Sequence, residues 1–413
     1  MPAFTVSNRR KKLLMKKHQW YNIHHWVGLK LSILLCFILA TGTLAVVSNE
    51  IDWLTNPAIR AEHSQPVDNM NWTAFYQAAQ QQIQHGQLSS LSVPLHQGFN
   101  AEALMLDSEQ KRHRLYFDPV TLEFQGEGSW MNWQTTLRRL HRHLMLPLNW
   151  GLTIVASTAI LMLISLISGL ILHPHWWRGL WRLPRRSHPR LFWGDLHRLL
   201  GLWSSWLLLI ISLTGIWYLV EKYGLAANYP KDANAMSPQA QYQAVRVSDA
   251  TFKTIIEAAN QLRPELKITQ VYLPTKPGGT VRIDGQAGEL LVRDRANNLV
   301  FDPVSGEWLS QRVGTDLSAH VRISEAADPL HFGTWGGYPS KVVYFLFGTA
   351  LTYVSLTGTY LFALRLLRAN ISKSMGQGAL FGAAIRQMGG IKFISSGIVL
   401  IAVILACYQL LTY

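Results

Sequence analysis

Long apolar runs alternate with long polar segments along this chain of 413 residues. A helix needs roughly 20 apolar residues to cross a hydrocarbon core of about 30 Å. Five runs approach or exceed this length, at 26–47, 144–172, 199–220, 342–364 and 393–411. We predict one transmembrane helix in each, and we expect the first to be retained because it is too long for a cleaved signal peptide.

Two polar segments separate the first run from the second and the third from the fourth, and each is long enough to fold as a small domain. Each has a helical stretch, at 72–84 and 250–261. Alternating apolar and polar residues typical of strands follow, for example at 103–107 and 280–284. We therefore predict a small α+β domain in each segment.

The distribution of charged residues predicts the orientation of the chain in the membrane. The N-terminus and the loop after the second run are rich in Lys and Arg and contain no acidic residue. These basic residues are Arg9, Arg10, Lys11, Lys12, Lys16 and Lys17, and Arg178, Arg182, Arg185, Arg186 and Arg190. Of the 24 acidic residues, only Asp195 lies outside the two polar segments. The positive-inside rule then predicts cytoplasmic basic segments and polar segments on the far side. The net charge of +14 reflects this topology and gives no reason to expect nucleic acid.

The sequence contains an internal duplication. Both polar segments include an apolar strand ending in a proline turn, Leu-Tyr-Phe-Asp-Pro-Val-Thr at 115–121 and Leu-Val-Phe-Asp-Pro-Val-Ser at 299–305. Two copies of a helix–domain–helix unit would share one orientation and be related by an axis along the membrane normal. The predicted fold class is a membrane α-helical bundle, with four core helices in two repeats plus a fifth helix, and two small α+β domains.

The starts of the helices repeat as well. The first run begins beside His24, which Gly28 follows four residues later, and the third begins beside His197, which Gly201 follows at the same distance. Glycine one turn beyond a histidine would let a flat group approach the helix backbone, although small residues also serve plain helix packing. The duplication predicts that these two histidines are symmetry mates.

The second and fourth runs are likewise preceded by His141 and His331. A single histidine at a helix end is more often an interfacial residue, but four at repeat-equivalent positions favour ligands. Helical bundles hold haem between histidines of facing helices. We predict two b-type haems, an inner one bound by His24 and His197 and an outer one bound by His141 and His331. Covalent attachment is excluded because no Cys-x-x-Cys-His occurs.

Other residues compete for these roles. The alternative ligands and candidate partners of the haem propionates are His25, His143, His173, Arg142 and Arg198. His173 is the main competitor for the inner haem, whereas His25 lacks the four-residue spacing to glycine. Either arginine would bind a propionate through charge-assisted hydrogen bonds, and anchoring at the membrane interface explains them equally well. Cys36 and Cys407, the only cysteines, lie within predicted spans, which excludes a thiolate metal centre in the polar segments.

Together these motifs resemble those of the PepSY-associated transmembrane family, the iron-regulated inner-membrane proteins that include ferric-siderophore reductases of Gram-negative bacteria. The matching motifs are His24-x-Trp26-x-Gly28, Leu140-His141-Arg142, Ser168-Gly169-Leu170, Asp195-Leu196-His197-Arg198-x-x-Gly201, Leu213-Thr214-Gly215, Leu330-His331-Phe332-Gly333 and Thr357-Gly358. The resemblance covers essentially the whole chain. It implies a haem-dependent reductase of the inner membrane whose substrate is a ferric siderophore, which releases its iron as Fe(II), since hard oxygen ligands hold Fe(II) far more weakly.

The resemblance also implies a domain order. The expected segments are the cytoplasmic N-terminus with span one (1–48), periplasmic PepSY-like domain one (49–140), span two (141–173), a basic cytoplasmic loop (174–192), span three (193–220), periplasmic PepSY-like domain two (221–330), span four (331–365), and a cytoplasmic loop with span five (366–413). No Gly-rich dinucleotide motif follows a strand, so electrons are expected from a separate cytoplasmic reductase or from quinol in the bilayer.

Two alternative functions remain open from the sequence. One is a transporter that moves metal or siderophore through the bundle, although the spans lack the acidic residues and broken half-helices typical of ion coupling. The other is a PepSY sensory or regulatory membrane module without redox chemistry, in which the histidines are structural. Only the haem hypothesis predicts a strong visible absorption spectrum.

Overall fold

A computed structural model of the chain describes residues 16–66, 70–242, 245–369, 382 and 385–412. The described residues within 16–47, 137–225 and 331–408 form a helical bundle, and those within 48–136 and 226–330 form a compact domain built on a β-sheet. Residues 1–15 of the predicted cytoplasmic N-terminus, and much of the predicted loop after the fourth span, lie outside the described residues.

Thirteen α-helices are found in the described residues. They are α1 (Lys17–Lys30), α2 (Ser32–Val46), α3 (Ser48–Thr55), α4 (Trp72–Gln81), α5 (Trp133–His143), α6 (Leu148–Leu172), α7 (Pro189–Trp203), α8 (Ser205–Val220), α9 (Pro238–Tyr242), α10 (Asp249–Leu262), α11 (Ala319–Phe332), α12 (Gly337–Ala369) and α13 (Ile391–Thr412). Within these residues, four helices are long and apolar enough to cross a membrane, namely α6, α8, α12 and α13. A fifth span arises if the bent pair α1 and α2 counts as one. The chain is therefore a multi-pass membrane protein.

Two predicted spans are broken at the same point of the repeat. Helices α1 and α2 meet at Leu31 with a bend of 69°, and α7 gives way to α8 at Ser204. Each break follows a histidine of the predicted inner pair by seven residues (24 to 31 and 197 to 204). The hydroxyl of Ser204 donates to the carbonyl of Leu200, a bond that tends to bend helices. The first predicted span is thus corrected to a bent pair of helices, whereas α8 alone is long and apolar enough for the third.

The β-sheet contains eight antiparallel strands in the order β4-β3-β2-β1-β5-β6-β7-β8. They are β1 (Gln87–Ser92), β2 (Ala101–Leu106), β3 (Arg112–Phe117), β4 (Phe124–Ser129), β5 (Lys267–Tyr272), β6 (Val281–Gln286), β7 (Asn297–Phe301) and β8 (Trp308–Arg312). Strands β1 to β4 come from the first polar segment and β5 to β8 from the second. The halves join where β1 pairs with β5, with Leu91 opposite Val271.

This join changes the predicted domain organisation. Two separate small α+β domains are not confirmed, because both polar segments contribute to one sheet and one apolar core. A four-stranded sheet would leave an edge of unpaired N–H and C=O groups, and pairing β1 with β5 removes one edge from each half. The core continues across the join, where Tyr76 of α4 stacks on Phe252 of α10 with ring centres 4.1 Å apart.

The repeated Phe-Asp-Pro-Val phrase forms a turn organised by its aspartate. In the second copy, the buried carboxylate of Asp302 accepts hydrogen bonds from the backbone N–H groups of Val304 and Ser305 at 3.0 and 3.1 Å. It also binds both the backbone and the hydroxyl of Ser237. Asp118 organises the first copy in the same way. The repeated motif indicates the duplication, and its structural role is to form the turn at which the strand ends.

Candidate functional site

His24 projects from α1 onto α6. Its Nδ1 lies 3.0 Å from the carbonyl oxygen of Ser165 and 3.1 Å from the hydroxyl of Ser168. The next residue is Gly169, where a side-chain carbon would lie 3.3 Å from Cε1 of the imidazole. Glycine is needed here because the ring lies against the helix at that point.

His197 repeats this arrangement between α7 and α12. Its Nδ1 lies 3.0 Å from the hydroxyl of Thr357. Gly358 follows, and a side-chain carbon there would again lie 3.3 Å from Cε1 of the imidazole. The duplication therefore extends to the residues that receive each histidine.

The other two histidines come from α5 and α11. Nδ1 of His141 lies 3.0 Å from the carbonyl oxygen of Ile38 on α2, and a side-chain carbon at Gly42 would lie only 2.7 Å from its ring. Nδ1 of His331 lies 2.7 Å from the hydroxyl of Thr214 on α8. In each case a short helix presents its histidine to a Ser/Thr-Gly region of a longer one.

These contacts determine which ring nitrogen carries the proton. A carbonyl oxygen can only accept, so Nδ1 of His24 and of His141 must donate. The hydroxyls of Thr214 and Thr357 donate to carbonyls of their own helices, which leaves them as acceptors for the imidazoles. A histidine whose Nδ1–H is held in this way presents the lone pair of Nε2, as metal-binding histidines do.

The structure brings His141 and His331 together. Their ring centres lie 6.0 Å apart, with an angle of 39° between the planes. Two imidazoles that bind one iron through Nε2, at about 2.0 Å each, have ring centres roughly 6 Å apart. Tyr218 packs against the edge of the His331 ring at 5.4 Å. Across the described residues, no three His, Cys, Asp or Glu side chains form a site for a bare metal ion.

His24 and His197 line a common cavity of about 1320 Å³. Gly28 and Gly201 line the same cavity. A side-chain carbon at either glycine would meet no described atom within 4 Å. Tight helix packing therefore does not explain these glycines, and their backbones border open space beside the histidines.

Several positively charged side chains line this larger cavity. Asp195 is the one acidic residue among its described lining residues, and it accepts a hydrogen bond of 2.7 Å from Arg185 and lies 3.4 Å from a guanidinium nitrogen of Arg198. Arg190 and Arg365 also line the cavity. Of the two arginines proposed to bind propionates, Arg198 is thus beside a histidine pair.

The other candidate residues divide between two environments. His25 and His173 line the larger cavity, so both lie beside the His24/His197 pair. His143 instead bonds through Nδ1 to the carbonyl of Leu146, within the loop that leads into α6. Arg142 is exposed. The geometry favours His141 over His143 as a ligand and leaves His25 and His173 as neighbours of the other pair.

The two pairs lie at different heights along the bundle. Ala159 of α6 contacts Gly215, the residue after the hydroxyl that receives His331. Gly169, which receives His24, is ten residues further along the same helix. At 1.5 Å per residue, this corresponds to about 15 Å along α6.

The sequence of this chain matches a known protein family. The model of the PepSY-associated TM region matches residues 21–365, which include all four histidines. The chain belongs to this family. No curated protein matches it.

In this PepSY-associated chain, the groups that hold the histidines are functional residues that the sequence alone does not identify. The hydroxyls of Ser168, Thr214 and Thr357 accept from Nδ1, and a glycine follows each of them. A Ser/Thr-Gly dipeptide in each of the four core spans was the available signal. These dipeptides are Thr41-Gly42, Ser168-Gly169, Thr214-Gly215 and Thr357-Gly358.

Proposed function

We propose that this chain is an inner-membrane reductase that holds two b-type haems and reduces a ferric siderophore on the periplasmic side. Electrons would come from a cytoplasmic reductase or from quinol. The observation that supports this most is the arrangement of four histidines in two pairs. Each histidine is held through Nδ1 by an acceptor on a neighbouring helix.

The side chains fit haem better than a bare metal ion. Two imidazoles would hold each haem, and the histidines occur as pairs. Around His24 and His197, the open space beside Gly28 and Gly201 suits a flat macrocycle. Arg198 would bind a propionate there through a charge-assisted hydrogen bond.

The chain's own residues would have three roles. The histidines would bind the iron, and the Ser/Thr acceptors would fix the orientation of the rings and increase their basicity. The apolar helices surround the cofactor and limit the access of water, which influences the reduction potential. Haem, when bound, accepts and donates single electrons. The separation of about 15 Å between the levels of the two pairs supports electron transfer along the bundle.

The proposed substrate is suggested by the resemblance to ferric-siderophore reductases. Reduction adds one electron to each ferric ion, and Fe(II) binds far more weakly to hard oxygen ligands than Fe(III). The positive-inside rule supports a cytoplasmic side at the basic loop between α6 and α7 and a periplasmic side at the acidic sheet domain. We expect the siderophore on that periplasmic side.

The first test is a reduced-minus-oxidised absorption spectrum of the full-length protein after expression with sufficient haem. We expect a sharp α-band and a pyridine haemochrome assay that gives two b-type haems per chain. A purified, folded protein without Soret absorption would rule out the haem proposal and favour a transporter or a sensory module.

A second measurement tests the substrate separately. The haem protein is reduced anaerobically and mixed with a ferric hydroxamate siderophore, and a chelator specific for Fe(II) reports iron release. Reoxidation with one Fe(II) per electron is expected. Stable reduced haem in excess ferric siderophore would reject the substrate and leave the haem assignment in place.

A further inference from the structure

A second, smaller cavity lies at the end of α6, next to the larger one. Its volume is about 310 Å³. Five basic side chains line it, namely Arg178, Arg182, Arg198, His173 and His175. None of the described lining residues is acidic. A polar cavity with this composition is suited to an anion.

The fold builds this cavity from two elements. After α6 the chain forms a short 3-10 turn, Trp176–Gly179. Gly179 is buried against α7, because a side-chain carbon there would lie 3.2 Å from Cδ1 of Leu202. The indole N–H of Trp203 donates to the carbonyl of Leu180 at 2.8 Å, which ties the loop to the same helix. Arginines from the loop and from α7 therefore line the same cavity.

The charge of the cavity is not neutralised within the described part of the chain. Asp195 is engaged mainly by Arg185, at 2.7 Å, and reaches Arg198 only at 3.4 Å. Among the described residues, no carboxylate lies within ion-pair distance of Arg178 or Arg182. Two guanidinium groups are thus available to an external anion.

The surroundings of the cavity are apolar and exposed. Trp181 and Leu183, in the same loop, have 85% and 80% of their surface exposed, and Trp177 has 51%. Tryptophan and leucine beside arginine are typical of a segment at the boundary between headgroups and acyl chains. Basic pockets next to transmembrane helices on the cytoplasmic side are typical sites for anionic lipid headgroups.

We propose that the smaller cavity binds the phosphate group of an anionic phospholipid. Arg178 and Arg182 hold the phosphate from the loop side, and Arg198 of α7, which would bind a haem propionate in the larger cavity, also lines this one. The acyl chains lie along the apolar surface that Trp181 and Leu183 extend.

Arg198 gives this site a connection to the histidines, because it lines both cavities and follows His197 directly. This consequence rests on the proposed function. A negative charge beside Arg198 favours the oxidised state of a haem at His197, so a bound phospholipid lowers its midpoint potential. Lipid binding itself needs no haem and can be measured without it.

The experiment uses the full-length protein in lipid nanodiscs of phosphatidylcholine containing phosphatidylglycerol, with native mass spectrometry to count retained lipid. Near a membrane surface each arginine changes lipid affinity about five-fold. We expect Arg182→Gln to weaken phosphatidylglycerol retention about five-fold and Arg178→Gln with Arg182→Gln about 30-fold. Arg186→Gln is the matched control, since Arg186 has the same charge in the same loop but lines neither cavity.

Each outcome is decisive. Retention that falls with Arg182→Gln and not with Arg186→Gln supports the site. Equal losses in both variants would show a general effect of loop charge and overturn it. Equal retention of phosphatidylcholine would overturn the requirement for an anionic lipid. Displacement of phosphatidylglycerol by inorganic phosphate at matched ionic strength would show that the site takes a soluble phosphate.

Discussion

The sheet domain and the helical bundle differ in how completely their buried polar groups are hydrogen-bonded. In the sheet domain, Asp302 has no exposed surface and both of its carboxylate oxygens accept hydrogen bonds from backbone and hydroxyl donors. In the bundle, the hydrogen bonds of the His24, His141 and His197 side chains with described residues use Nδ1. A buried group whose hydrogen bonds are complete stabilises structure, whereas a group held by one atom only is prepared to bind something else.

The same contrast separates Glu325 from the histidines. This fully buried carboxylate receives Arg293, Arg295 and Tyr229 at distances from 2.6 to 3.1 Å. Breaking a buried, paired charge typically costs about 3–5 kcal/mol. Such a network is structural even though its residue types resemble a catalytic site. By residue type alone, Glu325 would be as good a candidate for a functional residue as the histidines. Its complete set of hydrogen bonds and ion pairs distinguishes it from them.

The largest effect is expected from removing one histidine of a pair. His197→Ala and His141→Ala should each remove one haem, so that about half of the visible absorbance is lost while the sheet domain keeps its thermal transition. The reason is that both imidazoles of a pair would hold the haem between their two helices. Pyridine haemochrome analysis of the purified variants measures this.

His143→Ala is the matched control for His141→Ala, because its imidazole bonds within its own loop. It should retain both haems. A different result would revise the pairs: if His173→Ala removed a haem while His24→Ala did not, the pair in the larger cavity would be His173 with His197.

The next effect concerns stability and should leave haem unchanged. Burial opposes ionisation of Asp302, but hydrogen bonds from Ser237 and neighbouring backbone N–H groups hold its pKa well below the usual range. A lowered pKa contributes stability above about pH 4, the usual pKa of aspartate, and this contribution disappears as the pH falls through the pKa of the folded state. Asp302→Asn should therefore destabilise the sheet domain at pH 7 by about 3 kcal/mol.

Thermal unfolding followed by circular dichroism between pH 3 and 7 gives the measurement. The variant should show a weaker loss of stability on acidification than the parent protein, with two haems still bound at pH 7. If Asp302→Asn lost haem in proportion to its stability, the separation between structural and functional buried groups would fail.

Part of the fold and of the candidate site could be predicted from the sequence. Apolar runs predicted the membrane helices, and the internal duplication predicted that His141 and His331 lie close together, because both predictions depend on local pattern and on repetition. The pairing of β1 with β5 depends on which edges meet, and no local pattern encodes that. The acceptors of His24 lie 141 and 144 residues away, a relation that only the folded chain shows.

A smaller effect should follow from removing an acceptor and leaving its histidine in place. Thr357→Val deletes the hydroxyl that receives Nδ1 of His197 at 3.0 Å. Loss of such a partner typically weakens a metal site by about 10–100-fold. The imidazole becomes a poorer electron donor to iron, so the midpoint potential of that haem should rise. Redox titration and haem-transfer kinetics measure the two quantities.

The control is Thr349→Val on the same helix, whose hydroxyl donates to the carbonyl of Phe345. It should change neither affinity nor potential. Equal effects of the two substitutions would mean that threonine acts through the helix α12 and not through the imidazole.

The smallest effect tests whether open space in the bundle is functional. Gly28→Ala adds a methyl group where no described atom lies within 4 Å. Alanine is favoured over glycine inside a helix by up to about 1 kcal/mol, so the haem-free protein should become slightly more stable. If a haem lies against the backbone at Gly28, the same methyl group should weaken haem binding.

The control is Gly397→Ala in α13, where the added methyl group also lies more than 4 Å from any described atom. It should give the stability gain with unchanged haem affinity, and a Gly28→Ala variant that behaved identically would place the macrocycle elsewhere in the cavity.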